Sequence, residues 1–145
     1  MLNIYLWHAI KSIKKRFSDN SEPKYNVYNS IEANSSLSFI DAQWFPPIPP
    51  NSPYFFCPKK LQSEIIELFT KHFYLHPLIP IKHGEFLSSE DIWKLSTKEM
   101  YDYCYNNDLK YVWAYMWCNW YKFNLWALWH EHLILMRFVF SKLRC

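Results

Sequence analysis

The 145-residue chain is 50% hydrophobic and 21% aromatic, carries a formal net charge of +3, and contains a single glycine, Gly84. Its length suits one domain with a sizeable core, and one glycine excludes the Walker-type and dinucleotide-binding loops that need several. The mild basicity falls short of the clustered excess of a duplex-binding domain.

Residues 1–17, MLNIYLWHAIKSIKKRF, put Leu2, Leu6, Ile10, Ile13 and Phe17 on one side of a helical wheel. Lys11, Lys14, Lys15 and Arg16 supply a basic face, with no acid before Asp19. The pattern predicts a terminal helix docked on the rest of the fold; a membrane-surface segment, a partner helix or an organelle presequence shares it. Residues 18–57 are rich in Ser, Asn and Pro and read as a linker, with FPPIPPNSP in extended polyproline conformation. PPIPP satisfies PxxP, as any proline-rich spacer does. Phe45, Tyr54, Phe55 and Phe56 are placed to pin this segment across the helices that follow.

A helix is predicted over 58–76, with Pro58 in its first turn and Leu61, Ile65, Leu68, His72 and Leu75 on one face. His76-Pro77 ends it, since proline disfavours helix at the preceding residue. HPLIPIKHGEF is a connector. Ser88 with Asp91 spells a cap, and Ile92, Leu95, Met100 and Tyr103 continue helically. Ser96 with Glu99 spells a second capping box and permits a break near 96. Asn106-Asn107-Asp108 reads as a turn.

Leu109, Trp113, Met116, Trp117 and Trp120 then form one apolar stripe of a helix over about 108–121. Lys122-Phe123-Asn124 permits a short break before a last helix carrying Trp126, Trp129, Leu133, Met136 and Phe140 on one face. The expected fold is all-α: an antiparallel helical array over 58–145, preceded by the amphipathic helix of 1–17 and a poorly ordered Pro/Ser/Asn-rich arm. Polar residues interrupt every stretch of bilayer-spanning length, so no transmembrane span is expected. Cys57, Cys104, Cys118 and Cys145 lie far apart, form no CxxC and follow no signal peptide. They predict reduced thiols in an intracellular protein.

Candidate chemistry is sparse. His72 and His76 are four apart on a predicted helix, with Cys57 upstream, giving three of the four ligands of a zinc site. His83 could complete the set only through folding, and a histidine amid an apolar face is more often a packed core residue. His130-Glu131-His132 has the wrong spacing for HExxH, because residues two apart on a helix point to nearly opposite sides. Glu64, Glu67, Glu90, Asp91, Glu99, Asp102 and Glu131 form no recognisable pair, and Cys104 and Cys118 have no activating neighbour. The stripe of Trp113, Trp117, Trp120, Trp126 and Trp129 could stack nucleobases, but Lys122 is the only cation interleaved with it. Core packing is the better reading. No catalytic residue, metal or cofactor is expected.

EIIELFTKHFYLHPLIP, then KEMYDYCYNNDLKYVWAYMWCNWY, then WALW resembles a segment of fungal mobile-element proteins. There it precedes the catalytic region of Mutator-like (MULE) transposases, sometimes beside a SWIM-type zinc finger. The matching features are His76-Pro77 with Ile79-Pro80, Met100-Tyr101 with Cys104, Trp113-Ala114-Tyr115 with Trp117, Trp120-Tyr121, and Trp126 with Leu128-Trp129. The pattern is aromatic, so no catalytic residue carries over. After Trp129 the family pattern runs on into a long catalytic region, whereas this chain continues as HEHLILMRFVFSKLRC and resembles a truncated copy. The resemblance implies transposable-element ancestry, nuclear location and DNA association. The expected function is a non-catalytic helical module for protein or DNA association. The alternative is a peripheral membrane or organelle-associated protein that uses the basic amphipathic amino terminus.

Overall fold

Residues 4–19, 28–47, 55–75 and 88–128 are described by a computed structural model. Among them every regular element is helical: α1 (Ile4–Ser18), α2 (Ser30–Ser36), α3 (Lys59–Tyr74), α4 (Ser89–Asn106) and α5 (Lys110–Met116). A π-helical turn, Trp117–Tyr121, prolongs α5, and a further helical stretch occupies 123–128. None of the helices among the described residues is long and apolar enough to cross a membrane.

The array is antiparallel. Near the start of α3, Glu64 accepts a 2.5 Å hydrogen bond from Tyr103 late in α4, while Lys71 late in α3 meets Glu99 at 2.9 Å. Helix α5 runs back along α4 in the same way: the Trp113 ring lies 5.0 Å from Tyr101, and the indole of Trp93 donates to the carbonyl of Tyr121. Helix α1 lays Leu6, Ala9, Ile13 and Phe17 into the same core and packs on α3.

Local signals explain most boundaries. The Ser88 hydroxyl accepts from the amide of Asp91, and Glu90 and Asp91 complement the positive end of α4. At its other end the amide of Leu109 bonds the Cys104 carbonyl and that of Asp108 bonds Tyr105. This is a Schellman closure with Asp108 at φ 52°, where glycine is the usual residue. The break that Ser96 and Glu99 permit does not occur. Ser96 and Thr97 are fully buried within a stripe shared by Ile92, Trp93, Met100, Tyr101 and Cys104, so packing overrides the local cap.

Two predicted faces are rotated. On α3 the buried residues are Ile65, Phe69, His72 and Phe73, with Leu61, Leu68 and Leu75 only partly buried. The two phenylalanines bury more apolar area than the leucines and take the centre. Along the tryptophan run, Leu109, Trp113, Met116 and Trp117 are buried as one stripe, but Tyr121 replaces Trp120 in it. The cause is the π turn, in which the amide of Lys122 reaches the carbonyl of Trp117 five residues back. Absorbing one extra residue turns Tyr121 inward and moves Trp120 to the margin. Trp126 is also buried, and Trp129 lies outside the described residues.

The stretch expected to be a linker carries a folded piece. Asn29 caps α2 by accepting from the amides of Ile31 and Glu32, and the Asn34 side chain closes the following turn onto the Ile40 carbonyl. Tyr28, Ala33, Leu37 and Ile40 are buried. Long-range bonds hold the piece in place: Trp113 donates to the Tyr28 hydroxyl at 2.8 Å, and the Asp41 amide donates to the Tyr101 hydroxyl at 2.9 Å. Of the aromatic residues expected to pin this stretch, Phe56 is buried, Phe45 and Phe55 are exposed, and Tyr54 lies outside the described residues. A seven-residue helix made largely of Ser and Asn has no 3.6-residue apolar signal, so its position came from tertiary contacts.

Candidate functional site

His72 occupies the middle of the buried face of α3 and is fully enclosed. A buried imidazole needs a partner on each ring nitrogen. Nδ1 lies 2.6 Å from the Tyr121 hydroxyl, and Nε2 lies 3.2 Å from Oε1 of Glu99. The hydrogen bond from His72, ahead of its Lys71 ion pair, holds the Glu99 carboxyl down at about 2. Glu99 is therefore an ionised acceptor at neutral pH, and Nε2 must carry the proton donated to it. Nδ1 is left as the acceptor of the Tyr121 O–H. Burial pushes the His72 pKa below its ordinary value and the Tyr121 phenol well above its own. The neutral tautomer is thus fixed by the enclosure and by both neighbours.

Three elements build this chain of bonds. Helix α3 supplies His72 and Lys71, α4 supplies Glu99, and the π turn supplies Tyr121. Trp93 donates to the Tyr121 carbonyl at 2.7 Å, which fixes the turn from the α4 side. Trp126 stacks on the Tyr121 ring and Phe69 meets it edge-on.

Carboxylate, imidazole and hydroxyl follow the order of a nucleophilic triad, but the chemistry does not. Both His72 and Tyr121 are fully buried, and a phenol whose pKa is raised by burial is a poor nucleophile. The thiols are no better placed. Cys57 is pushed up to about 11 by burial and donates to the Pro58 carbonyl, while burial also raises Cys104 and Cys118.

Of the weak metal set Cys57, His72 and His76, the two members among the described residues are committed elsewhere. Both nitrogens of His72 are engaged, Cys57 is a buried protonated thiol, and His76, like His83, lies outside the described residues. Among the described residues no group of three or more His, Cys, Asp or Glu side chains could hold a metal ion. His130, Glu131 and His132 also lie outside them. The pairing of Glu99 and Tyr121 with His72 escaped the sequence reading because they stand 27 and 49 residues from it. The available signal was His72 itself, a polar ring on an apolar face that demands two partners.

A second region is built differently. At about 100° per residue, Ile4, Trp7, His8, Lys11, Lys14 and Lys15 share an arc of about 120° on α1, opposite the buried stripe. All six are exposed. The Lys11 ammonium sits 4.9 Å from the centroid of the Trp7 ring, one turn away. Lys14 and Lys15 meet no acidic side chain among the described residues, and α1 contains no acid. Arg16 is turned away from this arc, stacking over Phe56 at 4.0 Å and donating to the Asp19 carbonyl.

Comparison with family models, with curated proteins and with solved structures finds no match to this chain.

Proposed function

We propose that the chain is a non-enzymatic helical module that works by association, offering the outward face of α1 to a negatively charged partner. The observation that carries this reading is the division of α1. Leu6, Ala9, Ile13 and Phe17 are committed to the core, which leaves Lys11, Lys14 and Lys15 as an exposed, acid-free face. The full burial of Tyr121 and His72, with Glu99 at the solvent edge of the chain of bonds, supports a structural role for that network. Transposable-element ancestry belongs to this proposal only through the aromatic pattern, and no residue's role depends on it.

The test is retention of the intact chain on a sulfated-polysaccharide matrix. Lys11→Glu/Lys15→Glu should elute at much lower salt than wild type, since close like charges add their potentials over a Debye length. Lys94→Glu/Lys98→Glu makes the same change of net charge on α4, where both lysines already pair with acids. It should stay close to wild type. Equal losses in the two variants would reduce retention to net charge and contradict the reading.

A further inference from the structure

We infer that the anionic partner of α1 is a lipid bilayer rich in acidic headgroups; this rests on the association reading above and names its partner. Three observations favour a lipid surface. The basic arc is continuous with exposed apolar surface: Ile4 is 57% exposed and Trp7 46%. An indole flanked by lysines matches the headgroup level of a bilayer, where the ring sits in the interface and the ammonium groups meet anionic lipid. A phosphodiester backbone gives no reward to an exposed isoleucine.

The second observation concerns stacking. Single-stranded nucleic acid is held by successive aromatic platforms. The outward arc has one indole, already covered on one face by Lys11 and met at its edge by His8 at 4.9 Å. The tryptophans that could have formed such a row, Trp113, Trp117 and Trp126, are in the core.

The third is geometric. The arc extends along one side of a fifteen-residue helix whose opposite side is anchored in the fold. It can lie flat on a planar charged surface without undocking. This differs from an amphipathic helix that inserts its wide apolar face. Here the apolar stripe stays in the protein, and contact is electrostatic with a Trp7 anchor.

The experiment is sedimentation of the full chain with vesicles of phosphatidylcholine alone and of equal parts phosphatidylcholine and phosphatidylserine. Binding is expected only to the mixed vesicles and should weaken with salt. A juxtamembrane lysine contributes about fivefold in affinity, so Lys11→Glu/Lys15→Glu should lose at least about 25-fold. Trp7→Ala should lose a few-fold. All three side chains are exposed, and unchanged circular dichroism verifies that the variants fold. Binding that survives the lysine pair, or an unchanged affinity in Trp7→Ala, overturns the inference. Wild-type retention on sulfated polysaccharide without vesicle binding also overturns it and leaves the association reading standing. Loss of both sinks the two together. Tighter binding to a single-stranded oligonucleotide than to the mixed vesicles would transfer the surface to nucleic acid and end the lipid assignment.

Discussion

The Tyr121 hydroxyl donates to Nδ1 of His72 across 2.6 Å, joining the π turn to α3 through a bond that no solvent reaches. Tyr121→Phe removes the donor and leaves Nδ1 buried without a partner, so it should cost about 1–3 kcal/mol in urea unfolding. His72→Leu orphans the phenol instead. The double variant should cost clearly less than the sum of the two, because it removes both halves of the bond. Strict additivity would show that the bond contributes nothing beyond its ring packing.

The same network predicts acid sensitivity of a definite sign. The His72 pKa is lowered from 6.5 by burial, against the opposing pull of Glu99, so the unfolded chain takes up a proton that the folded chain refuses. Stability from this group is complete above about 6.5 and declines as pH falls below it. Glu99 is lowered from 4.5 to about 2, chiefly by its bond from His72, and acts in the same direction at lower pH: its contribution is present above 4.5 and is lost as pH falls toward 2. Glu99 is 43% exposed at its side chain, so solvent screening keeps its share modest. Urea midpoints measured from pH 7.5 downward should fall from about 6.5, and His72→Gln should flatten the first part of that fall. A wild-type midpoint constant down to pH 5 would contradict this assignment.

Much of the helical array was legible in the sequence because its signals are local. Periodic apolar residues, the Ser88 cap, proline at the start of α3 and the Asn-Asn-Asp turn each act within one or two helical turns. Legibility failed where tertiary contact decides. Ser96 spells a cap and is buried mid-helix, α2 has no apolar period yet is flanked by buried Tyr28 and Ile40, and the π turn exchanges Trp120 for Tyr121. The His72 partners were invisible for the same reason: hydrogen bonds across helices leave no spacing rule in one chain.

Trp117 is 2% exposed and tilts against Trp113 with ring centroids 5.8 Å apart. Trp117→Ala should therefore destabilise the fold by about 3–5 kcal/mol, as large aromatic truncations in a core do. Chemical unfolding checks it. Wild-type stability in this variant would remove Trp117 from the core.

Asp108 sits at φ 52°, a conformation that Asp tolerates and a β-branched residue does not. Asp108→Val should cost about 1–2 kcal/mol, whereas Asp108→Gly should be neutral or stabilising by up to about 1 kcal/mol. The comparison is read from melting temperatures of the two variants. The opposite ranking would show that the α4–α5 connection adopts a different backbone.

The buried network of α3, α4 and the π turn holds the fold, and the outer face of α1 is the surface proposed to bind. The measurement that tests this most directly is affinity for a labelled heparin fragment, by anisotropy across salt, for wild type, Lys11→Glu/Lys15→Glu and His72→Gln. Below the melting range of all three, the lysine variant should lose most of its affinity and its salt dependence, while His72→Gln binds like wild type despite lower stability. Loss of binding in His72→Gln with the lysine variant unchanged would contradict the account, because it would put the working surface at Tyr121–His72–Glu99.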